Sequence, residues 1–483
     1  MKHVDVSDFI DGHSPTELVV FALIGLVLAA AFGALAFKLP KSLLLGILLS
    51  AAILQGFKPL GYISIALLLP LVMAPAIIKS TQRSHWNGWV KVALAILIWQ
   101  AVSMLWAVKV GAVAHAAAST LALLLSYLLA RQVAATPHGI SRALRIASPF
   151  VLLEAAFTIV FRWMPALESV YFSSPVALFL SEPNVALMAS NPQNVSDPAK
   201  AAGFLLNGNI ASLLLLLIAC LYAHAYARNR DRFFAFVSVV AIAGCLATGS
   251  KTALVLLFLL PALVLVLNYL LRGSRIAFAL LGGLTVAFIG AVAVLAAVGS
   301  PLITTAVISV GDRGRLWSLA GSAFLEHPML GLGYGGWVDY LREHKETVFE
   351  AGRAFQEFPA HNFIIQAWAD AGIPLAVLVT VIAVLPVVQG VRRLGVLRSN
   401  PLFGRENLQA SVLVIALVWL FIHSLADTTG FFGENHTLPF LATVAALLHA
   451  GTRNDSAEAV TRDRSEARAP SGEAPSIQRG PDS

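Results

Sequence analysis

Residues 252–271 read TALVLLFLLPALVLVLNYLL, a run without a single acidic or basic side chain. As a helix rising about 1.5 Å per residue, it is long enough to cross a hydrocarbon layer of about 30 Å. Apolar runs of comparable length recur from Thr16 to His449. The fold class is therefore all-α and polytopic, a membrane protein along most of its length. A β-barrel is excluded, because spanning strands are only about ten residues long and alternate in hydrophobicity. Composition agrees: 58% of the 483 residues are hydrophobic and 12% are charged, roughly half the charged share of a soluble domain.

Working outward from that run, transmembrane helices are expected at 17–37, 41–57, 60–78, 90–108, 111–130, 143–161, 204–224, 233–249, 252–271, 276–298, 363–390, 408–426 and 436–450. That makes thirteen, or twelve if Pro40, Pro59 and Gly61 turn part of the first three into a re-entrant pair. Short loops with an excess of Lys and Arg stay cytoplasmic. Here these are Lys38/Lys41, Lys79/Arg83/Lys91, Arg131/Arg142/Arg145, Arg228/Arg230/Arg232, Arg272/Arg275 and Arg392/Arg393/Arg398/Arg405. They alternate with charge-poor loops, so one orientation satisfies the set: N-terminus outside, C-terminus cytoplasmic, and outside loops at 162–203 and 299–362. The transmembrane domain then covers 1–450. Residues 451–483, mixed in Arg, Asp, Glu, Ser and Pro, cannot offset the entropy of ordering and are expected to form a disordered cytoplasmic tail.

The start of the chain, MKHVDVSDFIDGHSPTE, is acidic where a cleavable signal would be basic, so the first span is expected to be retained. Net charge is +7, but the basic residues fall in short clusters between spans and form no broad face. Membrane lipids are the partner this implies, and nucleic acid is not one. Cys220 and Cys245 lie inside apolar runs, where a thiol acts as a small hydrophobe.

The longest polar stretch in the interior is 299–362. It contains GDRGRLW (311–317), EHPMLGLGYGGW (326–337) and AHNF (360–363). Topology brings Arg313, Arg315 and His361 to the same outer surface as Lys251 of TGSKTA (248–253), although Lys251 and His361 are more than a hundred residues apart. Guanidinium groups are forked donors suited to phosphate oxygens and Lys is a point charge for the same anion, so a diphosphate is the natural guest. His361, at the start of a span, is placed to accept a proton from an incoming hydroxyl. Each residue has a plainer reading. Lys251 also suits a snorkelling anchor, Arg313 and Arg315 with Trp317 an interfacial belt, and His361 an imidazole paired with a backbone carbonyl. His423 and Asp427 of HSLAD lie four apart on one helical face, as a functional pair or as a structural hydrogen bond.

Glycines at 331, 333, 335 and 336 suit a tight turn close to a ligand or a helix. Their spacing is not that of a dinucleotide fingerprint and no Walker lysine follows, so the driving energy is expected to come from the substrate itself. The acidic residues of the outer side are scattered without the spacing of a metal motif. No metal and no other cofactor is expected.

Four pieces carry a family resemblance: Asn209 in GFLLNGNIAS, TGSKTA, Arg313-x-x-x-Trp317 running into HPMLGLGYGGW, and HNFIIQAWADAGIP. In this order, over about Gly203 to Pro374, the chain resembles the bacterial O-antigen ligase and O-antigen polymerase superfamily, which also holds O-oligosaccharyltransferases. The resemblance implies a GT-C-like helical fold in the bacterial inner membrane with its active site facing the periplasm. It implies an undecaprenyl-diphosphate-linked glycan as donor, a glycan or lipid A-core hydroxyl as acceptor, and an inverting, metal-independent transfer. On that carry-over His361 activates the acceptor and Arg313 holds the diphosphate. Lys251 stands where many relatives have Arg, keeping the charge but losing the forked geometry. Arg315 is a further basic contact, with Asn209, Asn362, Trp317, Gly331, Gly333, His423 and Asp427 in support. Ligase, surface-polysaccharide polymerase and protein O-glycosylation all remain open. So does a lipid-linked glycan flippase, although transporters favour charges at mid-bilayer and paired repeats, and no internal repeat is visible here.

Overall fold

A computed structural model of the chain describes residues 15–54, 64–181, 199–205, 208–348, 358–426 and 435–450. Asp427 and the tail from 451 to 483 lie outside the described residues. Among those described, all regular structure is helical, the expected answer where a bilayer offers no water to satisfy backbone groups. The helices are α1 (Pro15–Ala36), α2 (Lys41–Ile53), α3 (Ile65–Lys79), α4 (Gly88–Ser103), α5 (Val110–Ala134), α6 (Gly139–Trp163), α7 (Pro165–Phe172), α8 (Pro175–Leu180) and α9 (Gly208–Asn229). They continue with α10 (Arg232–Ala247), α11 (Lys251–Leu271), α12 (Ile276–Ala297), α13 (Pro301–Glu326), α14 (Gly336–Glu343), α15 (Lys345–Val348), α16 (Phe363–Val396), α17 (Arg405–Ala426) and α18 (Leu438–Ala450).

Every expected span corresponds to one of these helices. Seven, namely α5, α6, α9, α11, α12, α16 and α17, are long and apolar enough to cross a membrane. The remaining six, α1 to α4, α10 and α18, offer shorter apolar stretches of 10–17 residues. Burial sorts the long ones: 89% of the most apolar window of α9 is inside the protein, against 0% for α12. α9 is the central post, packed on α10 and α17, whereas α12 faces outward along nearly all of its length and packs chiefly on α11 and α13. A helix apolar all round has no polar face to offer water, so outward-facing α12 belongs against lipid.

The stretch 299–362 departs from a loop reading. α13 runs for 26 residues through the arginines, followed by the short α14 and α15. Its Leu316, Leu319, Ala320 and Ala323 recur at helical spacing and bury against Trp337, Leu341 and Trp368 in a small core of their own. An amphipathic helix reads as polar when composition alone is counted, since half of its surface is meant for water. The stretch 162–203 likewise carries α7 and α8.

The two ends of the bundle differ in chemistry. At one end Asp231 caps α10 by accepting from the Phe233 N–H and pairs with Arg145 of α6, joining two of the basic loops. At the other end lie the start of α11, the start of α16 and the α13–α15 segment. α16 begins there and is broken within it: Ala371 has φ −154° and Gly372 φ 79°. The Trp99 indole of α4 donates to the Ala371 carbonyl at 2.9 Å, pinning the break.

Candidate active site

The start of α16 organises the site. Asn362 is the N-cap, its side-chain oxygen accepting from the Ile364 and Ile365 N–H groups at 2.9 and 3.2 Å. Its amide nitrogen donates to the Leu425 carbonyl at 3.1 Å, tying α16 to the end of α17 two residues beyond the buried His423. His361, immediately before the cap, has φ 50°. That is the left-handed region, which a side-chain-bearing residue enters only where its surroundings impose it. The imposing contact is visible: the Trp317 indole donates to the carbonyl of Ala360 at 3.0 Å.

That bond sets α13 beside His361. Arg313 lies one turn before Trp317 and so on the same face of the helix. Arg315 is two residues from Arg313, about half a turn round, and its Nη1 reaches the Val348 carbonyl of α15 at 3.4 Å. The two arginines therefore do not project side by side, as a shared diphosphate contact requires; helix geometry separates neighbours that the sequence sets together.

The glycine segment is structural in the first instance. A Cβ on Gly331 (φ 68°) would run into the Trp368 carbonyl, and one on Gly333 (φ 80°) into that of Trp106. The segment threads between α4 and α16 with Leu332 N–H on the Ala369 carbonyl at 2.8 Å and the Trp106 indole on the Leu330 carbonyl at 3.0 Å. Of the two readings of these glycines, close approach to a helix is the one the geometry fills.

Lys251 is the first residue of α11, behind the Ser250 cap, whose hydroxyl accepts from the Ala253 N–H at 3.3 Å. The corner before it is stitched to residues 199–208. The Ala201 N–H donates to the Thr248 carbonyl at 3.2 Å, Gly249 leaves room only for the Ala199 carbonyl, and Gly208 lies against Thr248. Asn209, in the first turn of α9, thus sits beside the Lys251 corner. The site residues fall into two groups, Arg313/Trp317/His361/Asn362/His423 and Lys251/Asn209, at the same end of the bundle, and α11 packs on both α16 and α17.

Several functional candidates escape a reading by type. Glu154 of α6 is fully buried and accepts from the Phe204 N–H at 2.8 Å. Glu168 of α7 takes the Ala202 N–H, and burial pushes its carboxyl up to about 7 despite that bond. Together they hold the strand of chain that braces the Lys251 corner. Gln366 and Asp370 are joined at 3.0 Å on the first turns of α16, and Gln366 reaches back to accept from the Ala360 N–H. Their four-residue spacing on one helical face was the available signal.

In class, then, this is a polytopic all-helical membrane protein in which Lys251, Arg313 and His361 lie at the end of the bundle opposite the Arg145–Asp231 pair. Residues 236–380 match the family model described as O-antigen ligase, so this stretch of the chain is similar to the O-antigen ligase/polymerase superfamily. The match runs from α10 into α16 and encloses Lys251, Arg313, Arg315, Trp317, Gly331, Gly333, His361 and Asn362; Asn209, His423 and Asp427 fall outside it. Among curated proteins none matches the chain. The family supports a membrane glycosyltransferase of O-antigen ligase or polymerase type, working on lipid-linked glycan and acceptor substrates.

Proposed function

We propose that the protein moves a glycan from undecaprenyl diphosphate to an acceptor hydroxyl at the periplasmic face of a bacterial inner membrane. The observation that supports this most is the Trp317 indole on the Ala360 carbonyl, which sets the Arg313 helix beside His361. His361 takes the proton of the acceptor hydroxyl as its oxygen attacks the anomeric carbon from the face opposite the carrier. The bond from that carbon to the phosphate oxygen breaks, and its electron pair leaves with the diphosphate. Configuration inverts, and the imidazolium returns its proton to water. Charge growing on the departing phosphate is met by Arg313 and, from the neighbouring corner, by Lys251, in surroundings where fixed cations act more strongly than in bulk water. In this reading no metal is assigned a step. Arg315 is given the lesser role of bracing α15.

Purified protein with a lipid-linked glycan donor and an acceptor, without nucleotide or ion gradient, is expected to form product. His361→Ala and Arg313→Ala are each expected to lower turnover by about two or more orders of magnitude while lipid-linked glycan accumulates in cells. Normal transfer by both variants would overturn the assigned roles. Absence of product from the wild type, with donor moved across vesicles, would favour a flippase. Deletion followed by comparison of lipopolysaccharide, exopolysaccharide and glycoproteins identifies the acceptor, since each predicts a different missing product.

A further inference from the structure

We propose that Gln366 and Asp370 are positioning residues that hold the His361 backbone in its left-handed conformation and so fix the imidazole against the acceptor hydroxyl. This rests on the reading of His361 as the base.

Ala360, which delivers the chain into His361, is held at both of its backbone groups. Its carbonyl accepts from the Trp317 indole at 3.0 Å, and its N–H donates to Gln366 Oε1 at 3.0 Å. A glutamine amide carries an acceptor at one end and a donor at the other, so its orientation decides whether the second bond exists. Asp370 decides it: Oδ1 accepts from Gln366 Nε2 at 3.0 Å, leaving only Oε1 to face Ala360. Turned over, the amide would present N–H to N–H and lose both partners. On the far side of His361 the chain is fixed again, because Asn362 caps α16 and reaches the Leu425 carbonyl.

The need for such a grip follows from φ 50° at His361. A residue with a Cβ relaxes out of that region when it is released, which would swing the imidazole away. Asp370 is itself seated on the last turn before the α16 break, and Trp99 pins the next carbonyl, that of Ala371. A rigid anchor, an amide of set polarity, a held peptide and a strained histidine thus form one line.

The test exchanges the polarity of the bond. Gln366→Glu keeps an acceptor for the Ala360 N–H but faces a second carboxyl at Asp370. Combining it with Asp370→Asn restores a donor and acceptor pair, the introduced amide donating to the introduced carboxylate. In purified protein with a lipid-linked donor, Gln366→Leu and Gln366→Glu are expected to lower kcat by about 10- to 100-fold with the donor KM largely unchanged, the scale set by a reacting group displaced by about an ångström. The double variant is expected to recover most of the kcat lost in Gln366→Glu. A double variant no better than the single one, or a Gln366→Leu protein with wild-type kcat, overturns the proposal, as does a loss confined to KM. Should Gln366→Leu fail to accumulate in the membrane, the comparison of Gln366→Glu with the double variant decides alone, each checked for the same unfolding temperature in detergent. His361→Ala separates the two readings. If it turns over normally, the base assignment fails whatever the pair does; if it is inactive while the Gln366 variants are fully active, only the positioning role fails.

Discussion

The two arginines of GDRGRLW differ by a half-turn of helix, and that difference is the clearest residue-scale consequence of the structure. Arg313 shares a face with Trp317, which is bonded to the residue before His361; Arg315 reaches the carbonyl of Val348. Arg313→Lys keeps the charge but gives up the forked donor geometry that suits phosphate oxygens. It is expected to lower kcat/KM by about tenfold, roughly one charge-assisted hydrogen bond. Arg315→Ala, which removes the long bond to the Val348 carbonyl of α15, is expected to change kcat/KM by less than Arg313→Lys does. Initial rates with a lipid-linked donor measure both, and equal losses would place Arg315 on the substrate after all.

At the scale of elements, residues 199–205, ahead of α9, are held by two carboxyls that chemistry alone would leave at the surface. Glu154→Ala strips the buried Phe204 N–H of its acceptor, which is expected to destabilise the protein by about 1–3 kcal/mol. Glu168 carries a pH dependence with a definite sign. Its carboxyl titrates near 7 in the folded protein, above the ordinary 4.5, because burial disfavours the charged form. The folded state therefore holds an extra proton between those values, and stability is greatest on the acid side and declines as pH rises through about 7. Thermal unfolding in detergent is expected to show that decline in the wild type and a flatter profile in Glu168→Gln. An unchanged slope in the variant would assign the dependence to another group.

The whole molecule is sorted by end. Basic loops meet where Arg145 pairs with Asp231, and the candidate site lies at the opposite end. If the positive-inside bias holds, Ser173, exposed beside α7, faces the periplasm and Ser399, exposed after α16, faces the cytoplasm. Cys220 and Cys245 are both buried and leave a low background for labelling. An impermeant maleimide is expected to modify Ser173→Cys in intact spheroplasts and Ser399→Cys only after permeabilisation. The reverse pattern would put His361 on the cytoplasmic side and remove the periplasmic reaction.

Sequence by itself determined the class of this protein and the order of its apolar helices. Their signal is local: an uninterrupted apolar run such as 252–271 must be a helix in a bilayer whatever surrounds it. The motif pieces around Lys251, Arg313 and His361 were legible for the same reason, each being a short string of distinctive residue types. Tertiary structure decided what periodicity and type could not. It made 301–326 an amphipathic helix, turned Arg313 and Arg315 apart, and recruited Glu154, Glu168, Gln366 and Asp370. The first three act on backbone groups of Phe204, Ala202 and Ala360, and Asp370 acts through Gln366; a hydrogen bond to a distant or strained main-chain atom leaves no mark on composition or spacing. It exists only once helices far apart in the chain have packed and excluded water between them.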